Sequence, residues 1–194
     1  MHCRHIFGLV GTALLLTLTA ACQGAADTGP RLADGTPNPS LNGLPSVSAK
    51  SHVLVGSMFL CLTKPGRAVI TSIRPVGATG RIEVTGFAVR PNPLLRGGQM
   101  IGSAYGTLRS NGLSSGRTID TPCGPANSGH GYELVIELAM PTGTEAAASA
   151  FQIDYTVVGR PGTLVFPLGT VLCSAPSMSD QPCKRLGQRY QRQL

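Results

Sequence analysis

The chain predicts an all-β fold, a two-sheet antiparallel β-sandwich of about seven or eight strands. Three observations predict it. Apolar residues recur with the two-residue period of half-buried strands. With 25 glycines and 15 prolines among 194 residues, turn chemistry falls at short intervals between those segments. The stretches between turns are poor in strong helix formers. Short strands of this kind each bury one apolar face, and two sheets closed on a shared core satisfy them all.

Residues 52–62 form a continuous apolar run that stops at the turn signal Lys64-Pro65-Gly66, and a β-branched stretch over 67–74 follows before Pro75. In 81–90 the pairs Ile82/Val84 and Phe87/Val89 fall on opposite parities, so a bulge near Gly86 is expected to turn both into one core. Weaker strands are expected within 99–109 and 117–120. Tyr132, Leu134, Ile136, Leu138 and Met140 alternate strictly with Glu133, Val135, Glu137 and Ala139, the cleanest strand pattern in the chain. Residues 145–150 could make one helical turn. Phe151, Ile153, Tyr155 and Val157 then alternate with Gln152, Asp154 and Thr156, and 162–173 supply the last strand. In number and spacing these strands resemble the immunoglobulin-like sandwich. The chain has no tryptophan, so that fold's buried Trp is missing and the likeness is one of architecture.

The ends read differently. Residues 1–21 have a short basic head with Arg4, an apolar run from Ile6 to Leu18, and small residues before Cys22. This is the plan of an export signal, and the run is too short to span a hydrocarbon core of roughly 30 Å. Leu18-Thr19-Ala20-Ala21-Cys22 resembles the lipobox of bacterial lipoproteins, with Thr19 where leucine is usual and Leu18 one step earlier. The resemblance implies diacylglyceryl transfer to the Cys22 thiolate, cleavage before it and palmitate-bearing anchorage at the extracytoplasmic face of the cell membrane, or at an outer membrane where the source has two. Residues 22–50 are rich in Gly, Pro, Asn and Ser without apolar periodicity and predict a disordered tether with a reach of about 30 Å. The sandwich is then assigned to 51–183 and a basic tail to 184–194.

Cysteine parity agrees with the anchor. Of six cysteines, Cys3 leaves with the leader and Cys22 would be acylated, so Cys61, Cys123, Cys173 and Cys183 remain. An even set in an exported domain implies two disulfides. Loop-closure entropy favours the short Cys173–Cys183 link and hence Cys61–Cys123; strand adjacency could instead pair Cys61 with Cys173. No C-x-x-C pair suggests zinc.

No catalytic set stands out. Gly112-Leu113-Ser114-Ser115-Gly116 matches G-x-S-x-G and precedes Asp120 and His130, but a nucleophile elbow needs a strand before the serine and a helix after it. Neither flank reads that way. Glu133 and Glu137 share a strand face, yet four strand residues place them about 13 Å apart, too far for a glycosidase pair; a solvated outer face is expected. His52 and His130 with Met58, Met100, Met140 and Met178 raise copper binding, but the methionines are scattered and two fall in core patterns. Lys184, Arg185, Arg189 and Arg192 make a tail suited to anionic lipid or wall polymer, or simply a solvated end. The formal charge is +7, without the aromatic and basic interleaving of a nucleic-acid platform.

The sequence therefore reads as a monomeric, lipid-anchored, non-catalytic binding or accessory module of the bacterial envelope. Its expected partners are the membrane and a wall polymer or envelope protein, with no cofactor, metal or nucleic acid. A metal-binding envelope protein using His and Met, and a secreted hydrolase with a loop-assembled site around Asp120, His130 or Asp154, are the alternatives.

Overall fold

A computed structural model describes residues 29–35, 40–49, 51–125 and 131–192. The strands are β1 (Leu32–Asp34), β2 (Ser40–Leu44), β3 (His52–Leu62), β4 (Ala68–Val76), β5 (Glu83–Pro91), β6 (Ser103–Tyr105), β7 (Thr118–Ile119), β8 (Tyr132–Ala139), β9 (Glu145–Ala148), β10 (Ala150–Val157), β11 (Arg160–Phe166) and β12 (Leu168–Cys173), followed by helix α1 (Gln181–Gln191). The fold is mostly β, with sheets closed on one core as expected. The expected leader over 1–21, Cys22 and His130 lie outside the described residues.

One sheet runs β1-β3-β8-β5, with β6 on the same edge of β3 as β1; a second runs β11-β10-β4-β7; a third, smaller sheet runs β2-β12-β9. All pairs are antiparallel except β2 with β12, which is parallel. That pair and the third sheet depart from the simple two-sheet antiparallel expectation. The core lies between the sheets: Val55, Met58, Leu134 and Ile136 of the first meet Ile70, Phe151 and Ile153 of the second and Leu168 and Leu172 of the third, all buried. The expected bulge is present, as a register shift between Val84 and Gly86 against β8. It brings Ile82 and Val84 to the same core as Phe87 and Val89.

Four local expectations are corrected. Residues 32–34 and 40–44, read as tether, form β1 and β2, because strand edges of β3 and β12 supply their backbone partners and Leu32, Leu44 and Val47 are buried. Residues 145–148 are strand rather than helix, and Ser149 is a bend before β10: Ala146 and Ala148 face the main core while Ala147 faces α1, and only small side chains fit both sides. The single strand expected over 162–173 is two, β11 and β12, in different sheets, parted at Pro167, which has no N–H to continue a ladder. The basic tail is α1, whose Cys183, Leu186 and Tyr190 sit at helical spacing and are buried against β9 and β12. Tyr190 donates from its hydroxyl to Gly77 O at 2.7 Å.

Cross-strand register defines two ends. Asp34, Leu60, Tyr132 and Pro91 lie in one row across the first sheet. Ala68 pairs with both Ile119 and Val157 in the second. The turn after β3 joins the two rows, so this proximal end is also where the described chain comes in, at Gly29. The nine residues of β4 carry the fold about 30 Å to the distal end, where α1 is fastened beyond Val76.

Candidate functional site

A groove of about 550 Å³ opens at the proximal end between the incoming chain and the β10–β11 hairpin. Its floor is Tyr155, only 6% exposed, whose phenol lies across Gly162. A Cβ on Gly162 would come within 2.7 Å of the Tyr155 hydroxyl, so glycine at this position keeps the ring in place. The rim carries Arg31, Val158, Arg160 and Thr163. Two arginines and a tyrosine in one lining suit a carboxylate- or phosphate-bearing ligand.

Val158 and Gly159 form the two-residue hairpin turn, since Val157 pairs with Arg160. Both have positive φ, 49° and 75°, the arrangement of a type I′ turn. Asn-Gly is the usual pair there, and a β-branched residue in that region is strained. Val158 is also 83% exposed, so no burial offsets the strain. No Asn-Gly or Asp-Gly pair marks this turn in the chain.

Asp154 borders the groove through Thr163. Its carboxylate accepts from Gln152 Nε2 at 2.9 Å, Ser72 Oγ at 2.9 Å and Thr163 Oγ1 at 3.0 Å, with Arg74 Nη2 at 3.5 Å. The Gln152 bond first, then those from Ser72 and Thr163, hold its pKa below the ordinary aspartate value. A carboxylate held ionised in this way is a weak base. Asp120 accepts from the Tyr132 hydroxyl at 2.6 Å, and that bond, with burial and the Asp120 charge, raises the tyrosine pKa.

The expected solvated face of β8 is instead covered. Residues 92–117 leave β5, cross the outer face of the first sheet and return to β7, and Leu108 and Ile101 pack there on Leu54, Ala88 and Val135 as a second small core. Glu133 and Glu137 are 0% and 8% exposed beneath this strap. Glu133 accepts the Ile101 N–H at 2.7 Å on Oε1 and the Arg90 guanidinium on Oε2, at 2.7 Å from Nε and 2.6 Å from Nη2. Glu137 accepts the Leu108 N–H at 2.8 Å on Oε2, while Thr85 donates to Oε1 at 3.0 Å and His52 Nδ1 lies 2.7 Å from it. The two carboxylates thus fasten the strap by its backbone.

The other sequence candidates do not converge. Gly112 ends a 3₁₀ turn in left-handed conformation, and no helix lies between that turn and β7, so Ser114 lacks the preceding strand and following helix of a nucleophile elbow. Met58 and Met140 are fully buried in the core, and Met178 packs beside α1. Among the described residues, no cluster of three or more His, Cys, Asp or Glu could hold a metal ion. Cys61 meets Cys123, with Cα atoms 4.9 Å apart, and Cys173 meets Cys183, with Cα atoms 5.9 Å apart, both at disulfide distance. No protein-family model matches the chain, and neither does any curated protein.

Proposed function

We propose that the chain is an exported lipoprotein, acylated on Cys22, whose β-sandwich is a binding or accessory module at the extracytoplasmic face of a bacterial membrane. The observation that carries this reading is the cysteine pairing. Cys61 with Cys123 and Cys173 with Cys183 account for all the cysteines after Cys22, which leaves that residue for the lipid. Two disulfides also suit an oxidising compartment. The immunoglobulin-like likeness enters only as architecture, apolar sheet faces closed on one another with loops at both ends. The groove over Tyr155 is the candidate ligand site, and its arginines favour an anionic group.

The test is the intact mass of membrane-extracted protein beside a Cys22→Ser variant. The native chain is expected to start at Cys22 and carry a diacylglycerol-sized adduct. The variant is expected to lack the adduct and to be released or to retain its leader. A native protein without the adduct would overturn the reading.

A further inference from the structure

We infer that the proximal end of the sandwich docks on an anionic bilayer surface, which resides on the groove's side of the molecule. The inference rests on the lipoprotein reading for its geometry and deepens it by naming what the anchored domain touches. Four features converge on that end.

The first is reach. Because β1 is part of the fold, the chain from Cys22 to Gly29 can span at most about 25 Å, even fully extended. Cys22 would therefore tie the proximal end to the membrane, with the opposite end about 30 Å farther out. Charge is the second. Arg67, in the turn after β3, and Arg96, at the end of the 3₁₀ turn Pro93–Arg96, are exposed at the same end as the groove arginines Arg31 and Arg160, and these four outnumber the two acids there, the exposed Asp34 at the end of β1 and Asp120, which accepts from Tyr132. Exposed apolar side chains are the third. Leu94 and Leu95 are 53% and 56% exposed on that same 3₁₀ turn, which follows Pro91 at the proximal row. Its base is held by Asn92, 1% exposed, whose Oδ1 accepts the Leu94 N–H at 2.9 Å. A capped turn thus presents two leucines and an arginine outward, a combination suited to the lipid interface, where apolar groups enter and guanidinium groups stay at headgroup level.

The fourth feature is Val158. A strained, exposed valine at the hairpin tip costs the fold stability that asparagine would restore. Contact with lipid gives the valine side chain a use. By contrast, α1, the basic segment the sequence offered for membrane contact, is fastened at the distal end through Tyr190 to Gly77 and Thr79. Its charges lie several Debye lengths from the proximal end.

The chain contains no tryptophan, so single insertions report without background. The probes are vesicles of phosphatidylcholine alone and with one-fifth phosphatidylglycerol, with brominated acyl chains as quenchers. Two forms of the full chain are used, the acylated protein inserted in vesicles and the processed, unacylated Cys22→Ser chain added to them. Leu95→Trp is expected to shift blue and be quenched on anionic vesicles in both forms, whereas Val165→Trp, at a position 53% exposed on β11, stays unquenched. In the unacylated form, Arg67→Glu with Arg96→Glu should lower partitioning at least tenfold, as 0.5 M salt should. Val158→Asn should raise the unfolding midpoint yet weaken partitioning several-fold, a split that misfolding cannot produce. Absence of Leu95→Trp quenching on anionic vesicles, or equal binding to neutral ones, would overturn the docking even with the mass adduct intact. If the adduct is missing, the lipoprotein reading fails, and binding of the unacylated chain still decides the docking.

Discussion

Truncating Arg90 should be among the most damaging single changes outside the core, because it strands a buried charge. Glu133 is fully buried, and the Arg90 guanidinium places Nη2 and Nε at 2.6 and 2.7 Å from its Oε2. At an effective dielectric of about 20 the attraction at that distance is about 6 kcal/mol before desolvation. Most of it offsets the cost of taking both ions out of water, so the net worth of the pair is small. Loss of one partner is different: a buried ion left alone costs about 3–5 kcal/mol. The Arg90 side chain is 29% exposed, so water can partly replace it and the lower end applies. Arg90→Met is therefore expected to lower stability by about 3 kcal/mol at pH 7, read from urea unfolding followed by circular dichroism. Adding Glu133→Leu should recover much of that loss, leaving a deficit of about 1–2 kcal/mol for the unpaired Ile101 N–H. A cost for Arg90→Met under about 1 kcal/mol, the range of exposed pairs, would refute the buried-charge argument. So would a double variant no more stable than Arg90→Met.

Three further outcomes are expected. The Cys61–Cys123 link closes a separation of 62 residues and Cys173–Cys183 one of 10. The chain-entropy relation then puts alanine replacement of each pair at about 4 and about 3 kcal/mol, to be compared by urea titration of the two double variants. Thr170 is fully buried with its hydroxyl lacking a partner. Thr170→Val should accordingly raise stability by about 1 kcal/mol, seen as a higher thermal midpoint. Finally, the depressed pKa of Asp154 contributes stability that is present above its unfolded value and lost as pH falls through the lower folded value. Asp154→Asn should flatten the decline in unfolding midpoint below about pH 4 and leave the slope near neutrality unchanged.

The sandwich was legible because period-two alternation survives any tertiary context. Residues 132–139 and 151–157 fall on strands with the expected side inward, and even the Gly86 bulge follows from a parity break visible in the chain. Short segments were not legible in this way. β1 and β2 carry few apolar residues and depend on the edges of β3 and β12, which are remote in sequence. α1 carries Cys183, Leu186 and Tyr190 at helical spacing, but its many charges masked the stripe.

The candidate site divides along the same line. The sequence by itself determined the strand faces and the even set of four cysteines after Cys22, since each is written in local pattern or count. Only the tertiary structure decided that Glu133 and Glu137 are buried anchors, because a distant strap covers a face whose own alternation reads as solvated. Only it gathered Arg31, Tyr155 and Arg160 around one groove and Leu94, Leu95 and Val158 at the same end. Periodicity says which way a side chain points, whereas what meets it there depends on pairings between residues tens of positions apart.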